Sequence, residues 1–283
     1  MHEPRGVAGR AGRDGVSADQ ELETPVGQVP AAGPARKHSK TFVFFNSLFR
    51  WLFCAAYFFP VCSFLVFLSI FLDPRKTVRS QRALCRNTMR LAGGRVEARR
   101  ATGFDPTRTY FFIVNHVNLF DPFVLFLAIP QYVRGLELES HFKIPAYGWM
   151  MKRFGNIPVP VKNSASDLKK MWRLTRTALE SGTSLVVFAE GQRTVTGRLG
   201  EFKDGAFRMA QQFGCPIVPI SVVGSFEFNN KLGWGLHPGK IVVHLHEPID
   251  TAGLKKEDVP ALRAQVHGIM ARTIDEYYES LQA

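Results

Sequence analysis

The sequence predicts an α/β protein, a mostly parallel sheet flanked by helices and preceded by an apolar helix-turn-helix. Three observations predict it. Beyond residue 86, short apolar runs alternate with longer segments of helical periodicity. Runs such as Phe111-Phe112-Ile113-Val114 are apolar at every position, as strands covered on both faces must be. Residues 51–72 carry no charged side chain at all.

The elements follow in order. Residues 1–40 contain no aromatic residue and are rich in Gly, Ala, Pro and mixed charge. Such a segment buries too little apolar area to offset its ordering entropy, so a disordered tail is expected. Residues 41–86 form the membrane-associated segment. Its uncharged part, at about 1.5 Å per helical residue, reaches about 30 Å, one bilayer core. Pro60 lies in its middle and predicts a break or kink there. Basic residues flank both ends, with Arg36, Lys37 and Lys40 before and Arg75, Lys76, Arg79, Arg82 and Arg86 after. Positive charge favours the cytoplasmic side, so the pattern fits a re-entrant or monotopic hairpin on the cytoplasmic face of a membrane. A full span and a buried soluble hairpin stay open.

Residues 87–283 read as one α/β domain. Strands are expected at 110–114, 132–138, 157–161, 184–189, 217–223 and 240–247. Pro158 and Pro160 place the third at an edge. Helices are expected at 122–129, 164–181, 204–213 and 260–281. In the second of these, Leu168, Met171, Trp172, Thr175, Ala178 and Leu179 keep helical spacing, and Gly182 ends it.

The formal net charge of +12 asks for an anionic partner, whether nucleic acid, anionic lipid or phosphorylated metabolite. No nucleic-acid motif appears, and a nucleic-acid binder would leave the apolar segment without a role. Cys54, Cys62, Cys85 and Cys215 form no C-x-x-C pair, so neither a zinc site nor a disulfide framework is suggested.

Two loops carry candidate chemistry. Asn115-His116-Val117-Asn118-Leu119-Phe120-Asp121 follows an apolar strand, at the carboxyl end where open α/β folds place ligands. His116 suits a general base near neutral pH, and Asp121 would fix its tautomer. On an ideal helix the two would lie roughly 140° apart, so a bend between them is required. A surface histidine with Asp121 as a helix N-cap is the competing reading. The second loop, Phe188-Ala189-Glu190-Gly191-Gln192-Arg193, also leaves a buried strand. It sets a carboxylate, a flexible glycine and an arginine suited to gripping phosphate.

These motifs resemble the 1-acylglycerol-3-phosphate acyltransferase superfamily of glycerolipid and lysophospholipid acyltransferases. The stretch from Asn115 to Asp121 matches its histidine-four-residues-aspartate motif. Gly155-Asn156-Ile157-Pro158-Val159-Pro160-Val161-Lys162 resembles the second motif, the 188–193 loop the third, and Pro216-Ile217-Val218-Pro219 the fourth. The resemblance implies a membrane-bound O-acyltransferase with His116 and Asp121 catalytic. Asn115, Lys162, Glu190, Gly191 and Arg193 would bind substrate, with Arg193 and Lys162 on the acceptor phosphate. Glu190 would position the acceptor or orient Arg193. No metal and no cofactor is implied. Acyl-CoA or acyl-carrier protein serves as co-substrate, and the partners are membrane lipids and a lysophospholipid acceptor, first among them 1-acyl-sn-glycerol 3-phosphate. Ala189 and Gln192 replace the usual proline and threonine. The lysine expected shortly before Ile144-Pro145 has no obvious counterpart, with Glu139, Ser140 and His141 standing there. These departures leave another lysophospholipid, a lyso-aminolipid or glycerol 3-phosphate open as acceptor. A non-catalytic membrane-binding protein on the same fold is the alternative from another class.

Overall fold

A computed structural model of the chain describes residues 39–144, 147–161 and 164–283. The expected disordered tail lies outside the described residues except for Ser39, whose hydroxyl caps the first helix by accepting from Phe42 N–H, and Lys40, which begins it.

That helix, α1 (Lys40–Phe71), runs unbroken for 32 residues with Pro60 inside it. Contrary to the expectation from the sequence, the apolar run does not turn back on itself at Pro60; it is one helix, and the reversal comes only after it. The chain reverses at Asp73, whose carboxylate accepts from Arg75 N–H as a short 3-10 turn (Pro74–Thr77) begins. The second arm is α2 (Val78–Ala92), closed by Gly93 in the left-handed region. A proline within a helix removes one hydrogen bond and crowds the preceding turn, at a cost of about 3 kcal/mol. Here Pro60 is exposed on the outer face, and packing of the inner face on either side offsets the cost. Cys54 Sγ contacts Thr88 O of α2, and Cys62 Sγ contacts Met150 Sδ beyond it.

The remaining elements are β1 (Gly94–Arg100), β2 (Phe111–Val114), α3 (Asp121–Ala128), β3 (Val133–Leu138), α4 (Tyr147–Arg153), β4 (Ile157–Val159), α5 (Ala165–Glu180), β5 (Ser184–Phe188), α6 (Gly205–Phe213), β6 (Ile217–Val223), the single turn α7 (Ser225–Phe228), β7 (Gly239–Leu245) and α8 (Val259–Ser280). They build one seven-stranded sheet in the order β1-β7-β6-β2-β5-β3-β4, with β4 at an edge. Every pairing is parallel except β6 with β7. The strand β1 lies outside the sequence expectation.

β2 is central, and its four residues are all buried because both faces of the sheet are covered. Phe112 and Val114 face a core closed by α2 and α3, through residues such as Met89, Val124 and Ala128. Phe111 and Ile113 face the opposite core, closed by Met171, Phe207, Val266 and Met270. Alternation along a strand sends successive side chains to opposite faces, so one short apolar run anchors both layers. Val114, the last residue of β2, is level with Phe188, the last of β5, and with Ile220 of β6. The loops leaving β2 and β5 therefore emerge side by side at the carboxyl edge of the sheet.

Candidate active site

The bend between His116 and Asp121 is a short coil, after which Asp121 opens α3 with Pro122 behind it. Proline is favoured in the first turn, where its missing N–H has no helical partner to lose. Asp121 is fully buried, and its Oδ2 accepts from Val117 N–H at 2.7 Å, Asn118 N–H at 3.0 Å and the His116 ring at Nδ1, 2.9 Å away. Ser225 Oγ–H reaches its Oδ1 at 3.3 Å. Asp121 thus turns back onto the loop ahead of it and is not a cap for its own helix.

An ionised carboxylate only accepts hydrogen bonds, so the bond to Nδ1 places the ring proton there and leaves Nε2 as the basic nitrogen. Nε2 has no protein partner among the described residues. The imidazole also stacks on Phe188, with ring centroids 4.1 Å apart and planes 19° apart. An aromatic face attracts a cation and steadies the ring plane.

Glu190 is buried. Its Oε1 accepts from the main-chain N–H of His116 at 2.7 Å and its Oε2 from Gly200 N–H at 2.8 Å. The main-chain oxygen of His116 accepts in turn from Thr194 N–H at 2.8 Å. Burial raises the Glu190 carboxyl above the ordinary glutamate range, and the N–H groups of His116 and Gly200 pull it partly back. Glu190 therefore fastens the backbone of His116. It makes no hydrogen bond to Arg193, so the expectation that it orients Arg193 is corrected.

Asn115 is corrected in the same way. Its amide donates to Val222 O at 2.9 Å and accepts from Val222 N–H at 2.8 Å in the buried interior. One bond from each end of the buried side chain clips the loop leaving β2 to β6, which gives Asn115 a structural role. Gly191 has φ +74°, a conformation side chains rarely adopt, and a Cβ there would lie 2.7 Å from Lys203 Nζ. Arg193 is half-buried and makes no hydrogen bond or ion pair to the described residues. Lys162 lies outside the described residues.

Where the expected lysine gives way to Glu139, Ser140 and His141, the chain forms a 3-10 turn (Glu139–Lys143) and His141 Nδ1 meets Glu137 Oε1. Lys143, overlooked in the sequence, stands exposed directly ahead of Ile144.

Several site residues were missed. Asn118, fully buried, donates to Ser225 O at 2.7 Å and Asn229 O at 2.9 Å, and accepts from Phe120 N–H at 2.8 Å. It ties the loop leaving β2 to α7. Its position inside the first motif was the available signal. Ser225 carried none, because it lies more than a hundred residues away and only the fold brings it close. Lys203 likewise enters through tertiary contact with Gly191.

A partly exposed histidine is held by a buried carboxylate at the carboxyl edge of a mostly parallel sheet, an arrangement suited to an enzyme that works through a general base. Residues 95–223 match the family described as Acyltransferase. The chain is 30% identical to 1-acyl-sn-glycerol-3-phosphate acyltransferase alpha of Mus musculus over 229 residues, 76% of this chain and 80% of that one. It is 29% identical to 1-acyl-sn-glycerol-3-phosphate acyltransferase of Haemophilus influenzae over 170 residues, 60% of this chain and 70% of that one. The crystal structure of the 1-acyl-sn-glycerophosphate (LPA) acyltransferase PlsC from Thermotoga maritima shares the fold. Its TM-score is 0.70 at 21% identity, covering 84% of this chain and 98% of that one. The chain belongs to the 1-acylglycerol-3-phosphate acyltransferase family and is an O-acyltransferase of that type.

Proposed function

We propose that the chain transfers a fatty acyl group from acyl-CoA or acyl-carrier protein to the free hydroxyl of a lysophospholipid, 1-acyl-sn-glycerol 3-phosphate, giving phosphatidate. The observation that carries this reading is the His116 ring, held at Nδ1 by Asp121 and with no partner at Nε2 among the described residues. Nε2 takes the hydroxyl proton as the acceptor oxygen attacks the thioester carbonyl. Asp121 and the face of Phe188 stabilise the imidazolium. The tetrahedral intermediate collapses with cleavage of the C–S bond, and the thiolate takes the proton back from His116. The ester and the free thiol leave, and no acyl-enzyme is formed. Arg193, whose guanidinium has no partner among the described residues, binds the acceptor phosphate, and Lys162 joins it. The relatives named for this acceptor support the choice.

The seat is a membrane surface. Among the described residues α1 is long and apolar enough to cross a bilayer. Yet its inner face meets the domain from Ser47, which accepts from Leu236 N–H, to Ser69, which meets Arg153. A transverse α1 would carry the domain into the hydrocarbon with it. Lying in the plane, it sinks the exposed Phe42, Phe45, Phe49, Phe53, Phe64 and Phe67 into one leaflet, where acceptor and product also reside.

Purified protein in detergent, given labelled acyl-CoA or acyl-carrier protein and a panel of lysolipids, tests the reading. Phosphatidate is the expected product, and its loss is expected in His116→Ala. No transfer to any acceptor would refute the proposal and return the chain to a membrane-binding role.

A further inference from the structure

A second apolar element stands beside α1. The loop of residues 230–237, Asn230-Lys231-Leu232-Gly233-Trp234-Gly235-Leu236-His237, connects α7 to β7. It exposes two large apolar side chains, Leu232 at 64% and Trp234 at 45%. Elsewhere on a soluble surface such a loop would be expected to turn polar residues outward.

The loop is locked in place. Asn229 donates to Gly235 O at 3.0 Å, and Leu232 N–H donates to Asn230 Oδ1 at 3.0 Å. His237 N–H donates to Phe228 O at 2.9 Å, and further fastenings run to α1. Trp51 Nε1–H donates to Trp234 O at 2.8 Å, and Leu236 N–H donates to Ser47 Oγ at 3.0 Å. The Phe44 and Trp234 rings meet edge to face, 5.1 Å between centroids. A cavity of about 380 Å³ opens between helix and loop, lined by Lys40, Val43, Phe44, Ser47, Trp234 and His237 among others. The apolar face of α1 therefore continues onto the loop, with Lys40 and Lys231 at its rim.

We propose that residues 230–237 are a second membrane-inserting element, with Leu232 in the acyl region of the leaflet and Trp234 at the headgroup level. This rests on the reading of α1 as the membrane face. Two arguments favour a bilayer over a protein partner. The apolar surface is continuous with a helix of 32 residues, about 48 Å long, far more than one small partner covers. Its rim is basic on a chain of net charge +12, which matches anionic lipid phosphates. An indole, amphipathic and rigid, is the side chain suited to the boundary between acyl chains and headgroups. The loop would then fix the tilt of α1 about its long axis, and with it the height of the cleft above the lipid plane.

The test uses the full chain and vesicles of phosphatidylcholine with phosphatidylglycerol. In flotation, Leu232→Asp should weaken vesicle binding about tenfold, because a carboxylate replaces an inserted leucine and meets like charge. With brominated acyl chains the tryptophan emission should be quenched, and Trp234→Phe should remove part of that quenching. Activity of Leu232→Asp towards a short-chain, water-soluble acceptor should match the unaltered chain, which shows that the variant folds. Unaltered binding by Leu232→Asp, or quenching that Trp234→Phe leaves unchanged, would overturn the proposal. A shift from dimer to monomer in Leu232→Asp at constant vesicle binding would assign the face to a second copy and overturn it too. Failure of the unaltered chain to bind any vesicle would refute the membrane reading of α1 itself, an outcome visible before any loop variant is made.

Discussion

The main-chain N–H of His116 donates to Glu190 Oε1 at 2.7 Å, so the loop leaving β2 is held by the carboxylate that follows β5. The second oxygen takes Gly200 N–H at 2.8 Å. A glutamine offers one acceptor oxygen in place of two, and in Glu190→Gln an amide N–H would face a main-chain N–H. A hydrogen bond to a charged group contributes about 1.5–3 kcal/mol. Glu190→Gln should lower the melting temperature and, by displacing His116, reduce kcat about 10- to 100-fold. The acceptor KM should change little. Steady-state kinetics beside a thermal melt check this, and a raised KM at constant kcat would mean that Glu190 touches the acceptor.

Removal of the base and of its partner should differ in stability while agreeing in rate. His116→Ala should lower kcat by about 10²–10⁴ with the fold retained, since the ring is partly exposed. Asp121→Asn keeps one oxygen for Val117 N–H, Asn118 N–H and the His116 ring but removes the charge that strengthens those bonds, and it sets an NH2 where Ser225 Oγ–H donates. It should lose a comparable factor in rate and also melt earlier. Rate constants and calorimetry on the pair check this. A stable Asp121→Asn with full activity would sink the assigned role.

Much of this arrangement was legible in the sequence because it is local. Runs such as 184–189 and 217–223 are buried on both faces and cannot be mistaken for loops. The strand β1 was not legible, because Gly94-Arg95-Val96-Glu97-Ala98-Arg99-Arg100 holds only two apolar side chains and lies at an edge. Pro60 misplaced the hairpin turn, since its helix-breaking tendency is local and the packing that overrides it is tertiary. The strand-end loops identified His116, Asp121 and Glu190, yet spacing said nothing of what each atom would face. The spacing alone therefore does not show that Asn115 bonds Val222 or that Glu190 bonds the main chain at His116 and Gly200.

Asn115→Ala tests that correction. It removes both bonds to Val222 and leaves a buried N–H and a buried carbonyl without partners. Each such group costs about 1–3 kcal/mol. The variant should denature at clearly lower urea while the acceptor KM stays within about twofold of the unaltered enzyme, because the side chain is buried and bonded to Val222. A KM defect without a stability defect would restore Asn115 to the binding site.

Stability should also report the Glu227 carboxyl. Burial raises it above the ordinary glutamate range, and hydrogen bonds from Tyr277 and Tyr278 oppose that only in part. A carboxyl raised in the folded state gives its full stabilisation below the unfolded value. That stabilisation is lost as pH rises through the folded value. Glu227→Gln stays neutral and keeps an oxygen for the tyrosines, so it escapes the loss. The difference in melting temperature, variant minus unaltered chain, should therefore grow in favour of the variant from about pH 4 to about pH 8. A difference that is constant with pH would mean that Glu227 ionises as freely in the folded chain as in the unfolded one.

The acceptor phosphate should be read by the cations around Gly191. Arg193 has no hydrogen-bond or ion-pair partner among the described residues, and the Lys203 stem lies so close over Gly191 that a Cβ would sit 2.7 Å from Nζ and 2.9 Å from Cε. Charge-assisted bonds to phosphate make Arg193→Ala expected to raise the acceptor KM about 10- to 100-fold, and Arg193→Lys less, since lysine keeps the charge and loses the fork. Gly191→Ala should raise KM as well, through about 1–2 kcal/mol of left-handed backbone strain and displacement of Lys203. The deciding comparison is a monoacylglycerol acceptor, which has the hydroxyl and no phosphate. Each variant should close the gap between the two acceptors, because the lost contacts are made only to the phosphate. An equal loss on both acceptors would place Arg193 and Lys203 on the thioester donor, whose CoA or carrier prosthetic group is itself phosphorylated.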